Sequence, residues 1–149
     1  MEEMTSNLDW INEIEVSAPR IQRYLRSLLI DVDIDDEGYL FLKDGLEHPA
    51  WVYIDAPRTL VQLIAQVPLQ PDEGLQAAAV NELNQTYIGV QFHTLYGKLW
   101  GNAWLSYKTW MCLRHLAHIV PLFCSAVLHA VHEPCIRNLI QREFPGRHH

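Results

Sequence analysis

The chain reads as a single α+β domain, an antiparallel sheet with its helices packed on one face. Three observations predict this. The apolar spacing switches from a helical period to an alternating one near residue 31 and returns to a helical one near residue 72. The alternating stretches follow one another with turn residues between them, which indicates hairpins rather than βαβ crossovers. Residues 87–105, YIGVQFHTLYGKLWGNAWL, pair on paper into a hairpin with one wholly apolar face.

Residues 1–16 are weakly patterned and read as an N-terminal arm, a short docking helix or an extended segment around Leu8, Trp10, Ile11 and Ile14; residues 17–149 form the domain. Ser17 is an N-cap and Pro19 lies in the first turn, where a missing N–H costs little. Ile21, Tyr24, Leu25, Leu28 and Leu29 then recur at helical spacing, with Arg20, Arg23 and Arg26 off that face. Val32 and Ile34 alternate with aspartates as an inward-facing pair, and Glu37-Gly38 turns the chain. Residues 39–43 give a second strand closed by Asp44-Gly45, and residues 51–55 a third. Residues 59–67 fit either period; their place after a run of hairpins favours a strand. Asp72 caps a helix through Leu75, Ala79, Val80 and Leu83 that ends near residues 84–86. After the 87–105 hairpin, residues 109–132 form a long helix that Pro121 kinks or splits, and residues 134–144 a short tail helix. The order is α-β-β-β-(β)-α-β-β-α.

At 149 residues, with 49% hydrophobic and 19% charged side chains, the chain can bury a real core as one domain. A net charge of -7 disfavours nucleic acid and anionic membrane surfaces as partners. No apolar run approaches the ~20 residues of a bilayer span. The acidic start, MEEMTSNLDW, lacks the basic and apolar regions of a secretion signal. Three cysteines, Cys112, Cys124 and Cys135, are odd in number and crowd one third of the chain, which points to a reducing, cytoplasmic setting. His148-His149 match the residue of an affinity tag and are assigned no function.

Two constellations invite a chemical reading and fail it. Asp31, Asp33, Asp35, Asp36 and Glu37 resemble a calcium loop, but its sixth and twelfth positions hold Asp36 and Leu42 where glycine and a bidentate glutamate are needed. In the last helix, with His115 at zero and about 100° per residue, His118, His129 and His132 project near 300°, 320° and 260°. They share a sector with Arg114, opposite the apolar face of Leu116, Ile119, Val120, Phe123, Val127 and Val131. His118 and His129 are also about 16 Å apart along one helix, too far to share an ion. A metal- or ligand-dependent sensor or enzyme using His115 and His118 is the alternative kept. Cys112 reads as a core thiol, and Asn81, Glu82 and Asn84 take mid-helix and C-cap roles, Asn84 in particular suiting a helix end. No phosphate-binding glycine loop, nucleophile elbow or C-x-x-C is present, so no catalytic residue, metal or cofactor is expected.

The hairpin carries the functional clue. With a turn at Tyr96-Gly97, Thr94 pairs with Leu99, Phe92 with Gly101, Val90 with Ala103 and Ile88 with Leu105, all facing the core. The other face sets Leu95 against Lys98, His93 against Trp100, Gln91 against Asn102 and Gly89 against Trp104. Tryptophans beside neutral polar groups are typical of interface centres. Trp100, Trp104, His93, Gln91 and Asn102 are therefore the expected partner-binding residues, with cover by the N-terminal arm as the rival. Tyr39, Trp51 and Tyr53 read instead as aromatics packed under helices.

The segments EGYLFLKDG (37–45), WVYIDA (51–56) and VNELNQTYIGVQFH (80–93), with the Asn81-x-x-Asn84 helix end and the turn glycine, resemble the YbjN-like family over about residues 17–132. That family is described as bacterial sensory transduction regulators and is similar in fold to type III secretion chaperones. The resemblance implies an α-β-β-β-α-β-β-α core, frequent dimers and a binding role, with no catalytic residues to carry over. Trp100, Trp104 and the His-rich helix do not map onto its pattern. The expectation is a cytoplasmic, non-enzymatic, chaperone-like interaction protein. It is a homodimer or the holder of a protein or peptide partner, through burial of the two tryptophans or through edge-strand pairing. A structural subunit of a larger complex is the third option.

Overall fold

Ser17 opens the first helix as its sequence predicts: its Oγ accepts the Arg20 N–H at 3.3 Å. A computed structural model describes residues 9–42 and 46–141, and in it this helix, α1, spans Ala18–Ser27. It stops short of Leu28 and Leu29, which the helical spacing had included. Leu29 turns left-handed (φ 68°), and the Ile30 N–H closes back on the Leu25 carbonyl at 3.1 Å. Ile30 takes the buried place and Leu29 points to solvent.

Among the described residues, eight strands follow from the alternating segments and from two segments whose pairing only the fold reveals. They are β1 (Trp10–Asn12), β2 (Val32–Ile34), β3 (Leu40–Leu42), β4 (Ala50–Asp55), β5 (Leu60–Pro68), β6 (Gln91–Leu95), β7 (Lys98–Ser106) and β8 (Trp110–Cys112). Six form one antiparallel sheet in the order β2-β3-β4-β5-β7-β6. The segment that fitted either period is strand: β5 alternates buried Val61, Leu63, Ala65 and Val67 with partly covered neighbours, and pairs along its whole length with β7. Helix α2 spans Glu73–Thr86, capped by Asp72 Oδ1 on the Leu75 N–H, and α3 spans Leu113–Ala130. Ile21 and Leu25 of α1, Ala79 and Leu83 of α2, and Leu116, Val120, Phe123 and Val127 of α3 join Val32, Leu40, Leu42, Val52, Val61, Leu63 and Leu99 in one core. Among the described residues, the helices thus cover one face of the sheet and leave the other open. Each large side chain fully buried in that core contributes roughly 1.5–3 kcal/mol.

The last helix starts later than its apolar pattern suggests. Thr109 is left-handed (φ 77°), and Trp110–Cys112 pairs with β1 as a separate two-stranded ribbon before the helix begins. Part of the expected arm is therefore a strand, with Ile11 and Met111 buried. Helix α3 runs through Pro121 as one element. It has the length and composition of a bilayer span, and seven of its residues lie in the core. The tail is not helical over 134–141: a 3-10 turn, Arg137–Leu139, leads to Ile140, which bridges to Leu69, while the Gln141 N–H donates to the Pro68 carbonyl at 3.1 Å. The free backbone beyond β5 claims the polar groups a helix would have used internally. The expected Asp44-Gly45 turn, residues 142–144 of the tail helix and His148-His149 lie outside the described residues.

The hairpin register is the expected one from Gln91↔Asn102 to Leu95↔Lys98, with Tyr96 and Gly97 both at positive φ, the geometry of a tight two-residue turn. Beyond Gln91 the pairing ends. Gly89 (φ 93°) bends the chain away, so the expected pairs Val90–Ala103, Gly89–Trp104 and Ile88–Leu105 do not form. Ile88, placed in the core by the sequence pattern, is 96% exposed. Ile34 is likewise exposed, because only Val32 of its strand lies beneath a helix.

Candidate partner-binding face

The open face of the sheet is built by register. Asp33, Phe41, Trp51, Ile64, Asn102 and Gln91 stand side by side on successive strands, each the paired neighbour of the next. Tyr53, Gln62 and Trp104 form a second row, and Gln66, Trp100 and His93 a third. All five residues singled out from the hairpin therefore share one surface, but they play different parts in it.

Asn102 is 4% exposed and is a support, not a contact. Its Oδ1 accepts from Gln62 Nε2 at 3.1 Å, and its Nδ2 lies 3.3 Å from His93 Nδ1. With Nδ2 as donor, Nδ1 of His93 accepts, which leaves the imidazole proton on Nε2. His93 in turn stacks on Trp100, ring centroids 6.1 Å apart and planes within 8°. The Trp100 indole N–H donates to the Leu95 carbonyl at 3.0 Å, and Lys98 Nζ donates to Gln66 Oε1 at 2.8 Å. Trp100 is thus half-buried and pinned, whereas Trp104, four residues along the same strand, is 47% exposed. Gln91 is exposed at the sheet edge.

The sequence reading missed half of this face. Tyr39, Phe41, Trp51 and Tyr53 lie on it, not under helices, and they pair as rings: Tyr39 stacks on Tyr53 at 4.7 Å, and Phe41 meets Trp51 at 4.8 Å. The alternation of Trp51 and Tyr53 with Val52 and Ile54 carried the signal. Which half faced the helices became decidable only once β5 was fixed as a strand.

Both ends of the sheet are blunted by side-chain amides. At β2, Gln22 Nε2 of α1 donates to the Val32 carbonyl at 2.9 Å. At β6, Asn84 of α2 takes both backbone groups of Phe92. Asn84 is therefore not a helix cap, since α2 continues to Thr86. Among the described residues, edge backbone is left open where β7 runs past the end of β6, on the side of residues 103–106 away from β5.

The histidines of the last helix and the cysteines stand apart from this face, and the acidic run borders it. His115, His118, His129 and His132 are exposed, and His129 Nδ1 lies 2.7 Å from the Ser125 carbonyl. Among the described residues no three histidine, cysteine or carboxylate side chains gather as a metal site would require. Cys124 is fully buried, and burial lifts its thiol to about 12; Cys112, half-buried on β8, is not in the core as its helical projection suggested. Asp35 of the acidic run closes its own turn, Oδ1 accepting the Glu37 and Tyr39 N–H groups, both at 2.9 Å.

No known family profile matches the chain, and no curated protein matches it in sequence. Solved structures do. The crystal structure of YbjN from E. coli, a candidate transcription regulator, superposes with a TM-score of 0.69 at 15% identity, covering 85% of this chain and 97% of that one. The structure of the HopA1–SchA chaperone–effector complex contains a chain that matches with a TM-score of 0.50 at 18% identity, covering 72% of this chain and 87% of that one. The chain has the α+β fold of YbjN, shared with a chain of a chaperone–effector complex, as the sequence resemblance implied.

Proposed function

We propose that this chain is a cytoplasmic, non-catalytic interaction protein that holds a polypeptide against the open face of its sheet, in the manner of a chaperone. The occupant is a second copy of the chain or a heterologous segment. One observation carries this reading: among the described residues, the three helices α1–α3 lie on one side of a six-stranded sheet whose other side bears Phe41, Trp51, Tyr53, Ile64, Trp100 and Trp104 without a covering layer. Aromatic surface of this extent rimmed by polar groups marks a contact surface. The fold likeness to a chain of a chaperone–effector complex supports a protein-binding role. Trp104, His93 and Gln91 supply the reachable contacts, Trp100 a fixed platform, and Asn102 the support beneath them.

Sedimentation of the wild type and of the Trp100→Asp/Trp104→Asp variant tests the assignment. A dimer that becomes a folded monomer is the expected result. Trp104→Asp alone, at an exposed position, guards against a folding defect at Trp100. An oligomer unchanged by both variants removes the interface from this face. A second reading is favoured by the overhang of β7: an extended segment adds to residues 103–106 on the side away from β5, where no strand among the described residues pairs with them.

A further inference from the structure

The open face contains one cavity whose walls differ from the rest. It has a volume of about 280 Å³ and lies between the β2–β3 turn and the strands β4, β5 and β7. Tyr39, Trp51, Trp100 and Ile64 form its apolar wall, and Asp35, Glu37 and Gln66 its polar side. This size suits one long side chain rather than a drug-sized molecule, for which pockets run from about 300 Å³ upward.

Each ring of the wall is braced by a ring outside the lining. Tyr39 rests on Tyr53, Trp51 on Phe41 and Trp100 on His93. The Leu95 carbonyl fixes the Trp100 indole in addition. The carboxylates are placed with comparable care: Asp35 Oδ1 is consumed by the turn, while its second oxygen takes no bond among the described residues. Glu37 is exposed beside it. Five carboxylates fall between residues 31 and 37, one of them, Asp33, paired with Arg26 at 3.8 Å, and the Lys98 ammonium is tied to Gln66 without entering the lining. The negative potential reaches the rings, since Glu37 and Asp35, after burial and Tyr53, help raise the Tyr39 phenol.

Braced aromatic rings beneath carboxylates suit a cation on an apolar stem. The rings attract it through their quadrupoles, the carboxylates pair with it, and a planar guanidinium stacks where a compact ammonium cannot. We infer that this cavity receives an arginine side chain of the polypeptide held on the face, Asp35 and Glu37 pairing with its guanidinium. The inference rests on the proposed binding role of the face and adds the chemistry of the anchor.

The test follows the indole N–H signals of the full chain by NMR while acetyl-Gly-Arg-Gly-amide is added, with the neutral citrulline peptide as control. The arginine peptide is expected to shift the Trp51 and Trp100 signals saturably and leave Trp104 in place. The citrulline peptide is expected to bind at least tenfold more weakly. Glu37→Gln, at an exposed side chain that holds no structure, is expected to weaken the arginine peptide about fivefold. No movement at Trp51, equal binding of the two peptides, or an unchanged Glu37→Gln titration each overturns the inference. If those results come with association that still depends on Trp100 and Trp104, the cavity assignment alone has failed. If association is independent of them as well, the binding role of the face has failed too.

Discussion

Asn84 holds Phe92 by both backbone groups: its Nδ2 donates to the Phe92 carbonyl at 2.9 Å, and the Phe92 N–H donates to its Oδ1 at 2.7 Å. A helix side chain thereby occupies the place of a seventh strand. An exposed strand edge is a template for unwanted pairing, and this amide removes one rung of it. Asn84→Ala is expected to cost about 1–2 kcal/mol in urea unfolding. Asn84→Asp should cost a similar amount, because a carboxylate accepts the N–H and cannot donate to the carbonyl. Loss of native monodispersity in either variant would come from the freed edge; unchanged stability in both would show the clamp to be idle.

The same contrast separates support from surface. Asn102→Ala removes a buried amide and leaves half-buried Gln62 and exposed His93 without their shared partner, and is expected to cost about 1 kcal/mol. Trp104→Ala, at a half-exposed position, is expected to fall within about 0.5 kcal/mol of wild type while weakening association. Thermal melts and sedimentation of the two variants read both effects. A Trp104→Ala variant as unstable as Asn102→Ala would assign the indole to the fold.

Stability should decline in alkali. Burial lifts the Cys124 thiol from 9.0 to about 12, and burial followed by the hydrogen bond to Glu133 lifts the Tyr87 phenol from 10.0 to about 12. Both groups are neutral when protonated, so the folded chain holds these protons more tightly than the unfolded one. Their contribution is complete below the unfolded values near 9 and 10 and is lost as the pH climbs toward 12. The urea midpoint should stay level from about pH 7 to 8.5 and fall above 9, less steeply in Tyr87→Phe and Cys124→Ala. A level midpoint up to pH 11 would contradict the burial of both groups.

Leu29 spends the end of α1 in a left-handed conformation with its side chain in water. A branched side chain there costs about 1–2 kcal/mol that glycine does not bear. Leu29→Gly is expected to raise the melting temperature by a few degrees, the relief exceeding the added freedom of the unfolded chain. A lowered melting temperature would mean that Leu29 packs against something in solution.

The elements legible in the sequence are those specified locally. Ser17 with Pro19, Asp72, and the pairing about Tyr96-Gly97 each announce a cap or a turn within a few residues, and the register from Gln91 to Leu95 follows from alternation alone. Pairing between distant segments was not legible. Trp110, Met111 and Cys112 are apolar and adjoin a helix, so their strand becomes visible only beside Trp10, Ile11 and Asn12. Trp51 and Tyr53 failed for the same reason: their face is decided by Gln62 and Ile64 opposite them. Ile88 failed because nothing in alternation reveals that Gly89 takes a positive φ and ends the ladder.

The ribbon of Trp10–Asn12 and Trp110–Cys112 has a temporal consequence. Its strands are about 100 residues apart in sequence, so closing it costs more chain entropy than forming either hairpin. It can form only after the intervening sheet has drawn its ends together, and it has three pairs of residues with which to hold. Hydrogen exchange should therefore find the Ile11 and Met111 amides opening before those of β5 and β7, and refolding should protect them last.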